Sequence, residues 1–166
     1  MLLDNIYKYY KKNQCGLYKI ISIINEESSI SLRILDWFVT TYAKFFIKDI
    51  IESKELYNVN IYSEYKSKLK AFGKKYFDPF SRNNKCIVNK LYFKYSDDKY
   101  LNTSLCQLNF FKWALENNVL NYVENHLTTL KNYIKIITKT RSKNQKINTY
   151  ESNYVRDKLE FIISFS

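Results

Sequence analysis

Lys66, Lys70 and Lys74 recur at four-residue steps in IYSEYKSKLKAFGKKY (61–76), and Lys75 follows at once. On a helix that spacing stacks three ammonium groups along one face, an arrangement suited to successive phosphates of a nucleic-acid backbone. Arg82, Lys85, Lys90 and Lys94 continue the run, and Tyr92, set between two lysines, could offer a ring to an unstacked base. Between Glu124 and Glu151 there is no carboxylate, while Lys131, Lys135, Lys139, Arg141, Lys143 and Lys146 accumulate. The chemistry these residues suit is electrostatic: cations neutralise phosphates, counterions leave, and affinity falls steeply with salt. The opposing reading is that lysines on an outer helix face are simply solvated.

Arginine is scarce, at Arg33, Arg82, Arg141 and Arg156. Bidentate reading of guanine favours arginine, so lysines positioning phosphates, with little sequence preference, are the expected mode.

Other chemistry finds little support. His126 is the single histidine, and no nucleophile accompanies it in sequence; Cys15, Cys86 and Cys106 lie far apart with no CxxC pair. Structural zinc needs several such donors around a tetrahedron. With Gly16 and Gly73 as the two glycines, no phosphate-cradling glycine loop exists. Glu64-Tyr65-Lys66 and Asp97-Asp98-Lys99 could be read as magnesium-nuclease fragments. Glu64, however, suits the first turn of a helix, and Asp97-Asp98 is ordinary turn chemistry. No catalytic residue, metal, cofactor or small-molecule substrate is therefore inferred, and the expectation is a non-enzyme.

The 166 residues, 46% of them hydrophobic and 17% aromatic, suffice for one packed domain. A formal charge of +11 draws polyanions, acidic proteins or anionic surfaces. Abundant Lys, Asn, Ile, Tyr and Phe beside little Gly, Pro, Ala and Arg is the codon signature of an AT-rich genome, which explains part of the lysine excess. The clustering exceeds what drift alone produces. An odd number of dispersed cysteines predicts no disulfide framework and a reducing compartment. The N-terminal MLLDNIYKYYKK lacks the apolar core of a signal peptide, and no run approaches a membrane span, so a soluble intracellular protein is expected.

The elements that must hold these cations read as follows. Residues 2–13 and 17–25 form two short helices joined at Gly16. NEESSIS (25–31) leads into a long central helix, 31–50, with Leu32, Leu35, Val39, Tyr42, Ala43, Phe46 and Ile50 on its buried arc. The 61–76 helix buries Ile61, Tyr65, Leu69, Phe72 and Tyr76 and stops before Pro79. In the corner that follows, Phe77 and Phe80 pin the loop and Asp78 accepts bonds from the next amides, fixing where Arg82 points; the alternative is a structural turn with an idle arginine.

Residues 86–95 and 99–103 alternate as a hairpin about Ser96-Asp97-Asp98-Lys99, with Ile87, Leu91, Phe93 and Tyr95 opposite Val88, Lys90, Tyr92 and Lys94. Ser104 and Gln107 form a capping box for a helix burying Leu108, Phe111, Leu115 and Val119, and helices near 119–125 and 127–138 follow. The expected fold is α+β, mainly α: a globular domain over 1–137, then a flexible basic linker and short terminal element over 138–166. Trp37 and Trp113 lie off their helices' apolar stripes, where they would meet either a protein partner or a neighbouring helix of the core.

Three ordered stretches, SLRILDWFVTTYAK (31–44), YSEYKSKLKAFGKKYFDPFSR (62–82) and LNTSLCQLNFFKWALENNVLNYV (101–123), resemble a family of small, basic, mostly uncharacterised proteins of nucleocytoplasmic large DNA viruses, of the giant-virus and algal-virus type. The resemblance implies a viral protein of the cytoplasmic factory or the virion. The expected function is then non-enzymatic nucleic-acid binding, DNA more than RNA, and the alternative is a structural virion module that binds other virion proteins, around Trp37 or Trp113, without binding nucleic acid. It brings no catalytic residues. Where the family pattern tends to a thiol or small residue before the arginine of the FDPF corner and a glycine before QLNFF, this chain has Ser81 and Cys106. That departure argues against a required cysteine at either place.

Overall fold

Short amphipathic segments, most of them too brief to be stable helices in isolation, must find their stability in packing. The computed structural model describes residues 1–80 and 90–143 and shows how they do so. Helices α1 (Leu2–Lys12) and α2 (Gln14–Ile24) are followed by α3 (Leu32–Trp37), a π-helical turn (Phe38–Tyr42), α4 (Ala43–Phe45) and α5 (Ile47–Ser53). Next come α6 (Ile61–Phe72), α7 (Lys74–Phe77), strands β1 (Lys90–Ser96) and β2 (Lys99–Ser104), then α8 (Leu105–Glu116), α9 (Val119–Asn125) and α10 (Leu127–Lys143). The fold is mainly α with, among the described residues, one antiparallel hairpin, as expected from sequence. None of the described helices is long and apolar enough to cross a membrane. The chain divides into two compact units, Met1–Asn125 and one beginning at His126.

In the first unit the centre is α8. Cys106, Leu108, Phe110, Phe111 and Ala114 are all fully buried and Asn109 and Trp113 nearly so, which leaves this helix a narrow solvent face at Lys112 and Glu116. A helix buried on most of its circumference must be enclosed by neighbours, and α1, α7, α9 and β2 pack on it. The central place expected for residues 31–50 therefore belongs to 105–116.

Residues 31–50 are helical nearly throughout, but not as one α-helix. Ser31 caps the start, its hydroxyl accepting from the Ile34 amide at 3.3 Å. At 38–42 the turn widens to π geometry, and the Thr40 hydroxyl donates to the Asp36 carbonyl at 2.6 Å. The wider turn offsets the drift that a 3.6-residue helix accumulates at steps of four. Phe38, Tyr42 and Phe46 then stack in a column, 5.6 and 4.8 Å between successive rings. At Phe46 (φ −109°, ψ 37°) the backbone leaves the helix before α5 begins.

The junction of α1 and α2 is Asn13, not Gly16. Asn13 caps α2, its Oδ1 accepting from the Gly16 amide at 3.0 Å. Gly16 lies inside α2 because a Cβ there would come within 2.8 Å of the Asn13 amide group.

The helix that begins at Ile61 ends earlier than Pro79 requires. Gly73 adopts φ 75°, ψ 155°, a conformation that glycine reaches without strain, and separates α6 from the single turn α7. The register shift moves the buried stripe: Phe77 is fully buried, whereas Phe72 keeps 37% of its surface in solvent and Tyr76 is half-buried. The proline corner behaves as its residues imply. Asp78 Oδ1 accepts from the Phe80 amide at 3.1 Å, and Phe80 meets Phe110 edge-on at 5.0 Å. Asn109, buried on α8, donates from Nδ2 to the Tyr76 carbonyl at 3.0 Å and ties the corner to the core.

The hairpin keeps its expected alternation, Phe93 and Leu101 facing inward as a cross-strand pair. Residues 86–89, expected as its first part, lie outside the described residues. Ser104 accepts from the Gln107 amide at 3.3 Å as an N-cap, but the Gln107 side chain accepts from the Thr103 hydroxyl at 2.9 Å rather than closing a box. Residues 138–143, expected in a linker, continue α10. The expected terminal element beyond residue 143 lies outside the described residues.

Two stability outcomes follow from this packing. Phe77→Ala should lower unfolding free energy by about 3–5 kcal/mol in a urea titration, while Phe72→Ala costs less than about half of that; equal losses would mean that the buried stripe continues through Phe72. Gly16→Ala alone should destabilise despite alanine's helix propensity, because it displaces a cap worth about 1 kcal/mol. In an Asn13→Ala background the same change should stabilise, by up to about 1 kcal/mol, and an unchanged sign in the double-mutant cycle would refute the steric account.

Candidate nucleic-acid interface

Lys66 and Lys70 stand exposed on one face of α6, as their spacing implies. Lys74 and Lys75 are exposed too, but the Gly73 break places them on α7, so the expected single row of 66, 70 and 74 is divided between two helices. Lys68 is drawn sideways to Glu64, 3.6 Å away, on the same helix. Glu64 thus balances a neighbouring lysine.

Aromatic rings accompany these cations. The Lys66 ammonium lies 5.6 Å from the centre of the Tyr62 ring, and Lys44, from α4, lies 5.5 Å from the same ring and 5.0 Å from Phe45. Lys75 lies 5.4 Å from the Tyr76 ring. Contacts of this kind restrain an otherwise free ammonium while leaving its charge facing water. The pairing of Tyr62 with Lys66 is an i, i+4 step visible in sequence. Lys44 carried no such signal, since only the packing of α4 on α6 brings it there.

On the hairpin, Lys90, Tyr92 and Lys94 point outward from β1. Tyr100 stands opposite Lys94, and Asn102 opposite Tyr92. Tyr92 and Tyr100 keep 73% and 56% of their surfaces exposed, so two tyrosines and two lysines share one face. Tyr100 was the member missed in sequence, because its place is set by cross-strand register. Asp97 and Asp98, both exposed, bound this face at the hairpin tip.

In the first unit Lys19 pairs with Glu124, Lys68 with Glu64, and Lys112 with Glu116. Lys66, Lys70, Lys74, Lys90 and Lys94 form none with the described residues. In the second unit Lys131, Lys135 and Lys139 are exposed at four-residue steps along α10, and Arg141 and Lys143 fall in its last turn. Arg82 and Lys85 lie outside the described residues.

Other candidates are placed less favourably. Trp113 is 3% exposed, packed against Tyr65, Phe77 and Phe110 at 5.7–5.9 Å, and so is a core residue instead of a partner-facing one. Its position off the α8 stripe meant only that α8 is buried on more than one side. Trp37 is half-buried, its ring 5.8 Å from Tyr42. Cys106 is fully buried with its sulfur 3.1 Å from the Ser104 hydroxyl, while Cys15 is exposed. Burial holds the Tyr65 and Tyr10 phenols well above their ordinary range, and the Tyr10 hydroxyl donates within the core to the Leu108 carbonyl. Among the described residues no cluster of three or more His, Cys, Asp or Glu side chains is placed to hold a metal ion.

Similarity to known proteins adds a family and a setting. An uncharacterized protein of Acanthamoeba polyphaga mimivirus, a giant virus, is 33% identical over 177 aligned residues that cover 98% of this chain. The chain spans 63% of that relative's length. No solved structure matches. Residues 1–160 match DUF7197, described as a family of unknown function, and the chain belongs to that family.

Proposed function

We propose that this is a non-enzymatic viral nucleic-acid-binding protein, associated with the virion or the cytoplasmic factory, that holds the phosphate backbone with little sequence preference. The observation that supports it most is the set Lys66, Lys70, Lys74, Lys90 and Lys94: all exposed, none in an ion pair with the described residues, and accompanied by Tyr62, Tyr92 and Tyr100. Ammonium groups in that state exchange counterions for phosphates at little desolvation cost. Tyrosines on the hairpin face add a surface on which unpaired bases can stack. The rival reading, a module that docks other virion proteins through its tryptophans, loses Trp113 to the core and rests on Trp37 alone. DNA is favoured over RNA only through the viral setting, so both belong in the test.

Fluorescence anisotropy with generic duplex DNA, single-stranded DNA and RNA across a salt series is the direct measurement. The logarithm of affinity should fall linearly with the logarithm of salt, and the Lys66→Ala/Lys70→Ala/Lys74→Ala variant should reduce that slope by about 2–3 for the duplex. No binding at roughly 50 mM salt, or a slope untouched by the triple change, removes the proposal. Tyr92→Ala and Tyr100→Ala should each weaken single-strand binding by about 1–3 kcal/mol and leave duplex affinity nearly unaltered. Equal losses on both substrates would assign these tyrosines a role other than stacking.

A further inference from the structure

Beside α1 and the start of α2, the edge of β1 borders a groove of about 300 Å³ that meets the backbone-binding surface only at Lys94. Lys8, Lys11 and Lys94 line it, with Tyr7, Phe93 and Tyr95 as its aromatic walls. On the helix side Tyr7, Lys11 and Gln14 recur at steps of four and three, and Lys8 adjoins them, so one face of α1 and the following turn supplies that wall. On the strand side the cause is an irregularity. Lys94 pairs with Tyr100 and Ser96 with Lys99, so Tyr95 is an extra residue at a β-bulge. Bulges re-aim the side chains beside them and recur next to binding sites. Here the bulge falls within the three successive β1 residues, 93–95, that border the groove.

The electrostatics of this groove are one-sided. Three lysines line it and, among the described residues, no carboxylate does. Asp4, one turn before Lys8, is held by the terminal ammonium at 2.8 Å. Lys8 and Lys11, three apart on one helix, repel each other, and a bound anion would relieve that repulsion. The walls have a ready ring: Tyr7 stacks on Phe93 at 4.6 Å yet keeps 38% of its surface exposed. Gln14 is turned back to the Tyr10 and Lys11 carbonyls, each 3.3 Å away, which leaves its amide oxygen to accept from a ligand donor.

We infer that this groove is a binding site for a nucleotide 5′-phosphate, the phosphate lying among Lys8, Lys11 and Lys94 and the base against the Tyr7 and Tyr95 side. Its volume is at the lower bound of small-molecule pockets, about 300–1,000 Å³, enough for one nucleotide and too small for a duplex. The same chemistry comes from two sources, a free mononucleotide or the phosphorylated terminal nucleotide of a strand. The inference stands apart from the backbone-binding reading, sharing only Lys94 with it.

Calorimetric titration of the full chain with dAMP, inorganic phosphate, deoxyadenosine, and short oligonucleotides with or without a 5′-phosphate tests it. dAMP or the phosphorylated oligonucleotide should bind saturably and at least about tenfold more tightly than phosphate or deoxyadenosine alone. Lys8→Gln/Lys11→Gln, which keeps both stems and removes both charges, should weaken that binding at least about tenfold. Long-duplex affinity should stay within about threefold, since the backbone surface uses other lysines. A preference for the phosphorylated over the unphosphorylated oligonucleotide, with weak dAMP binding, supports the site with a strand end as its ligand; comparable dAMP binding supports it with a free nucleotide. Absence of saturable binding to both, or binding indifferent to the double change in a variant whose circular-dichroism melt matches the parent, overturns the inference. Failure of the unaltered chain to bind long duplex, with saturable nucleotide binding retained, would count against the backbone-binding proposal and leave this one standing.

Discussion

The enclosure of α8 is the constraint from which the rest of the first unit hangs. A twelve-residue helix buried on most sides, with Lys112 and Glu116 turned toward water, needs several neighbours, each covering part of it. Two hydrogen bonds of high sequence separation fix how they do so. The Tyr10 hydroxyl donates to the Leu108 carbonyl at 2.8 Å, and Asn109 donates to the Tyr76 carbonyl at 3.0 Å. In a dry core such bonds orient more than they stabilise: each is worth about 1 kcal/mol net, but leaving one partner unmet costs up to about 3. The first sets α1, and with it the helix wall of the groove; the second sets the corner that ends the lysine-bearing segment. Both cationic surfaces of this unit are thus referred to one rigid element.

Much of this was legible in sequence where a local rule decides. Ser31 and Ser104 cap helices because a hydroxyl one residue before an apolar run has orphan amides to bind. The hairpin follows from alternation and an Asp-Asp turn, and the FDPF corner from what proline forbids and aspartate accepts. What escaped were features set by competition between neighbours. The Gly73 break was hidden because the stripe Ile61, Tyr65, Leu69, Phe72 and Tyr76 reads as an unbroken helix, yet packing of Phe77 on Phe110 and Trp113 favours a shifted register. The π turn at 38–42 escaped likewise, since periodicity sees a wide apolar arc and cannot tell a straight helix from one that has realigned its rings.

The candidate site divides along the same line. Lys66 and Lys70 follow from four-residue spacing, and Lys90, Tyr92 and Lys94 from strand alternation. Lys44 and Tyr100 join only through tertiary and cross-strand neighbours. Lys8 and Lys11 read as the ordinary polar face of a short helix until β1 closes the other side. Trp113 erred in the opposite direction: a residue off the stripe looked available, and a helix buried on several sides had no stripe to be off.

Composition bias makes position the informative quantity. In an AT-rich chain, a count of lysines says little about selection, because drift would scatter them among acids and solvated turns alike. Drift does not predict that Glu124, Glu64 and Glu116 would be engaged by Lys19, Lys68 and Lys112 while Lys66, Lys70, Lys74, Lys90 and Lys94 form no ion pair with the described residues. Nor does it predict two ammonium groups held near one tyrosine ring. A lysine restrained in this way loses less freedom when it meets a phosphate than one waving in solvent, so part of the ordering cost is met by the fold. That argument favours a surface organised for anions over a merely charged one, and it applies most strongly where an aromatic side chain and a lysine are fixed by the same element, as Tyr62 and Lys66 are on α6.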